Sequence, residues 1–184
     1  ELVLGLECGG SDPTSGIASN PSVGAASDKL IELGGTSILR ETTELIGAEH
    51  LVAARCVTKE MGDKLTAMVK RIEDKSKLYG VDLRGTQPTP GNIAGGLTTI
   101  EEKSLGCIHK AGQSPVIGVL EYSESIDPKK HGLYFMDTPG EDIDSITGMV
   151  AGGAQIILFT TGRGTPTGSP VAPVIKVTGN PETY

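Results

Sequence analysis

Short apolar runs recur along the chain at Leu2–Leu6, Thr36–Leu39, Val116–Leu120, Leu133–Met136, Ile156–Phe159 and Val174–Val177. Most are continuous rather than alternating, the pattern of strands covered on both faces of a sheet. Between them, apolar positions fall at helical spacing. After Asn20-Pro21, a cap followed by proline at the first helical position, Val23, Ala26, Leu30 and Leu33 mark one face, and Gly34-Gly35 end it. A second helical stretch runs from Thr43 to about Cys56. Thr58 opens a third, with Met61, Leu65, Met68, Val69 and Ile72 inward and a Lys/Glu/Asp-rich outer face. Thr98 and Glu101 read as a capping box for a helix to Lys110. A last helix is expected from about Asp144 to Ala154, with Ile146, Met149 and Val150 inward.

This alternation predicts an α/β fold. The expected architecture is a mainly parallel sheet of five or six strands with helices on both faces, a Rossmann-like three-layer arrangement. One domain over residues 1–184 is expected. Segment 82–96, with Pro88, Pro90, Gly91, Gly95 and Gly96, reads equally as a linker or as an ordered loop over a site.

Composition narrows the function. The chain has 184 residues, 37% hydrophobic and 21% charged, which excludes a disordered or fibrous protein. A net charge of −7 argues against nucleic-acid binding, and Lys129-Lys130-His131 reads as a solvated turn. No apolar run reaches the length of a membrane span. The 3 cysteines are widely spaced without a CxxC pair, so neither a disulfide framework nor a structural zinc site is indicated. Free thiols fit a reducing cytosol, and a cytoplasmic location is expected. Glycine, at 26 residues, is about twice its average usage and suggests many tight turns. The start at Glu1-Leu2-Val3 has no initiator Met and no basic leader. It reads as a strand entered mid-sequence, so a fragment of a longer protein is expected.

The candidate chemistry follows the strands. Glu7-Cys8-Gly9-Gly10-Ser11-Asp12, Arg40-Glu41-Thr42-Thr43-Glu44, Glu121-Tyr122-Ser123-Glu124, Asp137-Thr138-Pro139-Gly140 and Thr160-Thr161-Gly162-Arg163-Gly164-Thr165 each come directly after one. In a parallel sheet these ends share one edge, where open α/β sheets bind ligands. Together they supply carboxylates, hydroxyls, an Arg and free backbone N–H groups, a lining for an anionic, polyhydroxylated small molecule. Cys8, Asp12, Glu41, Glu44 and Asp137 could share an ion, and a thiolate beside carboxylates suits iron better than magnesium. The loops match neither the phosphate-cradling nor the dinucleotide pattern, and no Gly-x-Ser-x-Gly elbow is present. His50 and His109 lie on expected helices, and Cys56 and Cys107 read as small core residues.

The loops themselves carry a resemblance. Gly5-Leu6-Glu7-Cys8-Gly9-Gly10-Ser11-Asp12, Ser15-Gly16-Ile17-Ala18-Ser19-Asn20-Pro21, Gly35 to Glu44, Pro90 to Gly106, Phe135-Met136-Asp137-Thr138-Pro139-Gly140 and Phe159-Thr160-Thr161-Gly162-Arg163-Gly164 are similar to the altronate and galactarate dehydratase family. The similarity covers essentially the whole chain. One departure is Arg40, where a Ser before the Glu is expected.

The resemblance implies a hydro-lyase that removes water from an aldonic or aldaric acid to give a 2-keto-3-deoxy acid, with dependence on a divalent metal, Fe(II). It also implies a missing N-terminal domain or small subunit carrying further site residues, and a chain that continues past Tyr184. The expected partners are therefore a sugar acid, that missing part and a second copy in a homodimer, with no nucleic acid and no membrane. On this reading Cys8, Asp12 and Glu41 are the preferred metal groups. Asp137 is first choice for acid/base work and Glu44 second. Arg163, with Thr160 and Thr161, would hold a substrate carboxylate, and Asn92 and Ser11 would bind the sugar. A sulfolactate sulfo-lyase large subunit and a non-catalytic assembly domain are the rival readings.

Overall fold

The structure is a computed structural model that describes residues 1–184. Strand β1 spans Val3–Cys8, β2 Thr36–Leu39, β3 Val116–Leu120, β4 Leu133–Met136, β5 Ile156–Thr160 and β6 Val174–Val177. All pairings are parallel, in the order β3-β4-β2-β1-β5-β6. The expected α/β sheet is present with six strands. The helices are α1 (Asn20–Glu32), α2 (Glu49–Ala53), α3 (Lys59–Leu78), α4 (Leu83–Thr86), α5 (Pro90–Ala94), α6 (Ile100–Ile108) and α7 (Asp142–Ala151).

The continuous apolar runs are explained by two cores, one on each face of the sheet. Leu4, Leu6, Leu39, Leu133 and Phe135 point to one core with Val23, Leu65, Met68, Val69 and Ile100 from α1, α3 and α6. Their strand neighbours Val3, Ile38, Tyr134 and Met136 point to the other, with Ile146 and Met149 of α7. Successive strand residues face opposite ways, so each strand must be apolar at nearly every position. Strand order reverses at β1: α1 leads from β1 to β2, and α7 leads from β4 to β5 on the opposite side. That reversal opens a crevice at the C-terminal strand ends.

Several element ends differ from expectation. Strand β1 continues two residues beyond Leu6, so Cys8 is itself in the ladder, opposite Thr160. Asn20 is not a cap: its φ of −64° and ψ of −48° are helical, and a π-helical turn over Ser15–Ser19 leads straight into α1. The stretch from Thr43 to Cys56 is not one helix. A 3-10 turn (Thr42–Leu45) and α2 are separated by Gly47, whose φ of +93° no helix accommodates. The cap of α6 is shifted by one. Thr99 accepts from the Glu102 N–H, and Glu102 reaches back to the N–H of Thr98. Segment 82–96 is ordered, holding α4 and α5.

Helix α1 packs tightly on the turn after α6. A Cβ placed on Gly24 would come 2.1 Å from the His109 carbonyl oxygen, with no flexible neighbour to yield. Gly24→Ala is expected to lower stability by about 1–3 kcal/mol, read as a reduced denaturant midpoint at unchanged slope. No helix is long and apolar enough to cross a membrane.

Candidate active site

The C-terminal edge of the sheet carries a buried cluster of charges and thiols. Cys8 ends β1, and Glu41 follows β2 by two residues. Glu41 adopts a left-handed backbone (φ +77°), and its N–H is bound by the Thr138 hydroxyl at 2.9 Å. From the other side α6 brings in Lys103 and Cys107, and the 3-10 turn after it brings Lys110. The close approach depends on two glycines. Gly16 in the π-helical turn and Gly106 on α6 meet so tightly that a Cβ on Gly106 would lie 3.1 Å from the Gly16 Cα. Asn20 fixes the same junction. Its Nδ2 donates to the Gly106 carbonyl at 2.9 Å, and its Oδ1 accepts from Thr160 Oγ1 at 2.6 Å.

Cys8 Sγ lies 3.2 Å from Glu41 Oε2 and 3.8 Å from Cys107 Sγ. Lys110 Nζ donates to Cys8 Sγ at 2.8 Å and to Glu41 Oε2 at 3.3 Å. Lys103 is ion-paired with Glu44. Cys8, Cys107, Glu41 and Lys110 are buried, and Lys103 keeps 11% of its side chain exposed. The hydrogen bond with Cys107 and burial push the Cys8 thiol well above its ordinary value. Burial, then the neighbouring Cys8, pushes Glu41 up against the pull of Lys110. Burial works against charge on Lys110 too, but Cys107, Cys8 and Glu41 outweigh it and keep the group an ammonium. Glu44, Glu41 and Cys8 do the same for Lys103.

Cys8, Cys107, Glu41 and Glu44 each offer one donor atom, all within 4.8 Å of one another, which makes them a metal-binding candidate. Two thiols and two carboxylates suit a divalent ion of intermediate softness. The buried Glu44 Oε2 has no hydrogen-bond partner and is free to serve one. The cluster opens into a cavity of about 260 Å³, lined by Cys8, Ser11, Asn20, Glu44, Lys103 and Cys107 among others. Pro13, Ile17, Leu97 and Leu105 supply apolar wall. Glu44 and Lys103 also line a second, 140 Å³ hollow with Thr43, Gln87, Thr89 and Gly140.

The structure brings together only some of the residues singled out from sequence. Cys8, Glu41, Glu44 and Ser11 share the main cavity or its floor. Asp12 lines the cavity, but its carboxylate is taken by Thr14, Ser15 and Asn180 at 2.6 to 3.1 Å and lies outside the donor cluster. Asp137 sits elsewhere. It is bound by Thr42 and by Arg71, which reaches it at 2.5 Å, in a separate cleft with Lys75 and Tyr122. The exposed Arg163 donates to the Gly91 carbonyl and so ties the 82–96 segment to the end of β5. Thr160 is spent on Asn20, and Thr161 accepts from the Gly164 N–H at 3.0 Å. Asn92 is buried in α5.

Lys103, Cys107 and Lys110 join the cluster without being among the site residues expected from sequence. They stand at i, i+4 and i+7, one face of a helix, which is the signal that could have found them. Cys107 is buried in the core as expected, with its Sγ 3.8 Å from that of Cys8.

The chain is similar to known proteins over its whole length. The model of the family described as D-galactarate/Altronate dehydratase, C-terminal, matches residues 1–184. The chain is 44% identical over 184 residues to altronate dehydratase of Bacillus subtilis, covering 100% of this chain and 36% of the relative. It is 46% identical over 187 residues to (2R)-sulfolactate sulfo-lyase subunit beta of Chromohalobacter salexigens, covering 100% and 47%. It is 42% identical over 177 residues to galactarate dehydratase (L-threo-forming) of Escherichia coli, covering 96% and 33%. The chain thus spans about a third to a half of the length of these relatives. With the family model matched from the first residue to the last, the chain belongs to the D-galactarate/altronate dehydratase family.

Proposed function

We propose that this chain supplies the core of a hydro-lyase active site that dehydrates a sugar acid such as altronate or galactarate to a 2-keto-3-deoxy acid. The observation that carries the reading is the cavity at the strand ends, where a thiol–carboxylate cluster meets a charged lysine. The remaining residues of the site come from a longer protein or a partner subunit.

A proton next to a carboxylate is very weakly acidic, so its removal needs a base and a group that stabilises the aci-carboxylate. Cys8, Cys107 and Glu41 would hold a divalent ion, Fe(II) on the softness of its donors, with the free Glu44 oxygen beside it. When bound, the ion supplies Lewis acidity toward the carboxylate and 2-hydroxyl. Lys103 orients the substrate carboxylate by charge. Of the two carboxylates expected to do acid/base work, Glu44 lies in the cavity and takes the C2 proton; as an acid it returns a proton to the departing 3-hydroxyl, which leaves as water. The walls formed by Pro13, Leu97 and Leu105 limit bulk water.

The test is keto-acid formation by the full-length protein with Fe(II) and each sugar acid. Glu44→Gln is expected to lower kcat by about 10²- to 10⁴-fold, whereas Asp137→Asn stays near wild type. Loss of turnover with Asp137→Asn alone would reverse that assignment. The sulfo-lyase reading is favoured instead if sulfolactate yields sulfite and the sugar acids yield nothing.

A further inference from the structure

A second set of acids converges beside the thiol cluster. Glu7, Glu41 and Asp142 each offer a carboxylate oxygen, and these oxygens lie within 4.8 Å of one another. All donors are oxygen, the preference of a hard divalent cation such as Mg²⁺ or Mn²⁺. Glu7 and Glu41 are buried, and Asp142 is partly exposed. A guanidinium stands among them. Arg40 pairs with Glu7 through Nη2 and with Glu41 through Nη1, and its Nη2 lies 3.8 Å from Asp142 Oδ1. The same group donates to the Cys8 carbonyl at 3.0 Å and to Ser145 Oγ at 3.2 Å. Arg40 is fully buried.

The fit of this occupant is incomplete. The fully buried Glu7 keeps Oε2 without any hydrogen-bond partner, and Arg40 Nε has none either. A planar fork directs its hydrogens to fixed places, whereas a spherical ion can accept oxygens from three directions. The unpartnered Glu7 oxygen suits the second kind of guest.

We propose that Glu7, Glu41 and Asp142 form a hard-cation site, and that in this chain the guanidinium of Arg40 is its tethered occupant. Three convergent carboxylates, two of them buried, require a cation to coexist. Arg40 supplies one that cannot dissociate, and although burial lowers its pKa to about 9 it stays charged at neutral pH. It is also a positioning residue for Glu41. By holding Oε1, it leaves Oε2 turned toward Cys8 and Lys110. The carboxylate centre is therefore filled without metal, and only the thiol-containing cluster is left to take one. The inference concerns metal stoichiometry and stands whether or not the dehydratase reading holds.

The test is Mn²⁺ binding to the purified protein, counted by electron paramagnetic resonance of free and bound ion. Arg40→Ser is expected to bind one equivalent more than wild type. Adding Glu7→Gln should abolish that extra equivalent, and Arg40→Lys, which keeps a tethered cation, should not gain it. Wild-type stoichiometry in folded Arg40→Ser overturns the proposal, as does an extra equivalent that survives Glu7→Gln. If Arg40→Ser folds poorly alone, its melting temperature is followed as Mn²⁺ is added. A rise larger than in wild type supports the site, and no such difference overturns it.

Discussion

Replacing Lys110 by Met should destabilise the metal-free protein by about 3–5 kcal/mol, the cost of breaking a buried pair from one side. Lys110 is fully buried and donates to Cys8 Sγ and Glu41 Oε2. Met fills similar space, so the loss is one of charge and hydrogen bonds rather than of packing. Two buried carboxylates, Glu7 and Glu41, face two buried cations, Arg40 and Lys110, and removing one cation leaves an unmatched charge. For a chain of this size, that deficit corresponds to a melting temperature lower by roughly 10 °C. Because Lys110 stays protonated far into the alkaline range, its contribution should not fade between neutral and mildly basic pH. A divalent ion in the cluster brings its own positive charge, so saturating metal should shrink the deficit. Thermal unfolding of both proteins, with and without metal, reads all three effects; a loss below 1 kcal/mol would show that Lys110 is not the counter-ion of this cluster.

Cys8→Ser should weaken divalent metal binding by more than about 100-fold, since even residues that only orient ligands cost 10- to 100-fold. Cys8 Sγ lies within 4.8 Å of the donor atoms of Glu41, Glu44 and Cys107, and a serine hydroxyl is a much poorer ligand for a soft-tolerant ion. A ligand present at 1,000 times its Kd stabilises the folded state by about 4 kcal/mol. The metal-induced rise in melting temperature should therefore nearly vanish in the variant. Asp12→Asn is the matched control. Its carboxylate is engaged by Thr14, Ser15 and Asn180, so metal affinity should hold while the loop after β1 loosens. If Asp12→Asn lost metal and Cys8→Ser kept it, the ligand assignment would be exchanged.

The sheet was legible in the sequence because a strand buried on both faces must be apolar at nearly every position, a pattern that survives without knowledge of its neighbours. All six runs became strands, with β1 ending two residues later because Glu7 and Cys8 pair with β5 despite their polarity. Loop chemistry at the strand ends was legible for the same reason, since parallel strands put those ends on one edge. The α6 contribution was not. Lys103 and Lys110 look like solvated positions in one dimension, and their burial follows from the crossing of Gly16 and Gly106, which only the folded chain creates. Asp137 illustrates the converse. It stands at the end of β4 as expected, but Arg71 on α3 claims it from a distance of 66 residues along the chain. The Arg40 departure was visible as a residue out of place, yet its role needed three carboxylates from β1, from the loop after β2 and from α7 to be seen around it.

The Glu44–Lys103 pair lines both the main cavity and the smaller hollow beneath Gln87 and Thr89. Moving that one pair would therefore reshape both hollows at once. Because the pair is nearly buried, added salt screens it little. An anion that draws Lys103 to one side would change the wall of the second compartment as well, so the two volumes would not be filled independently.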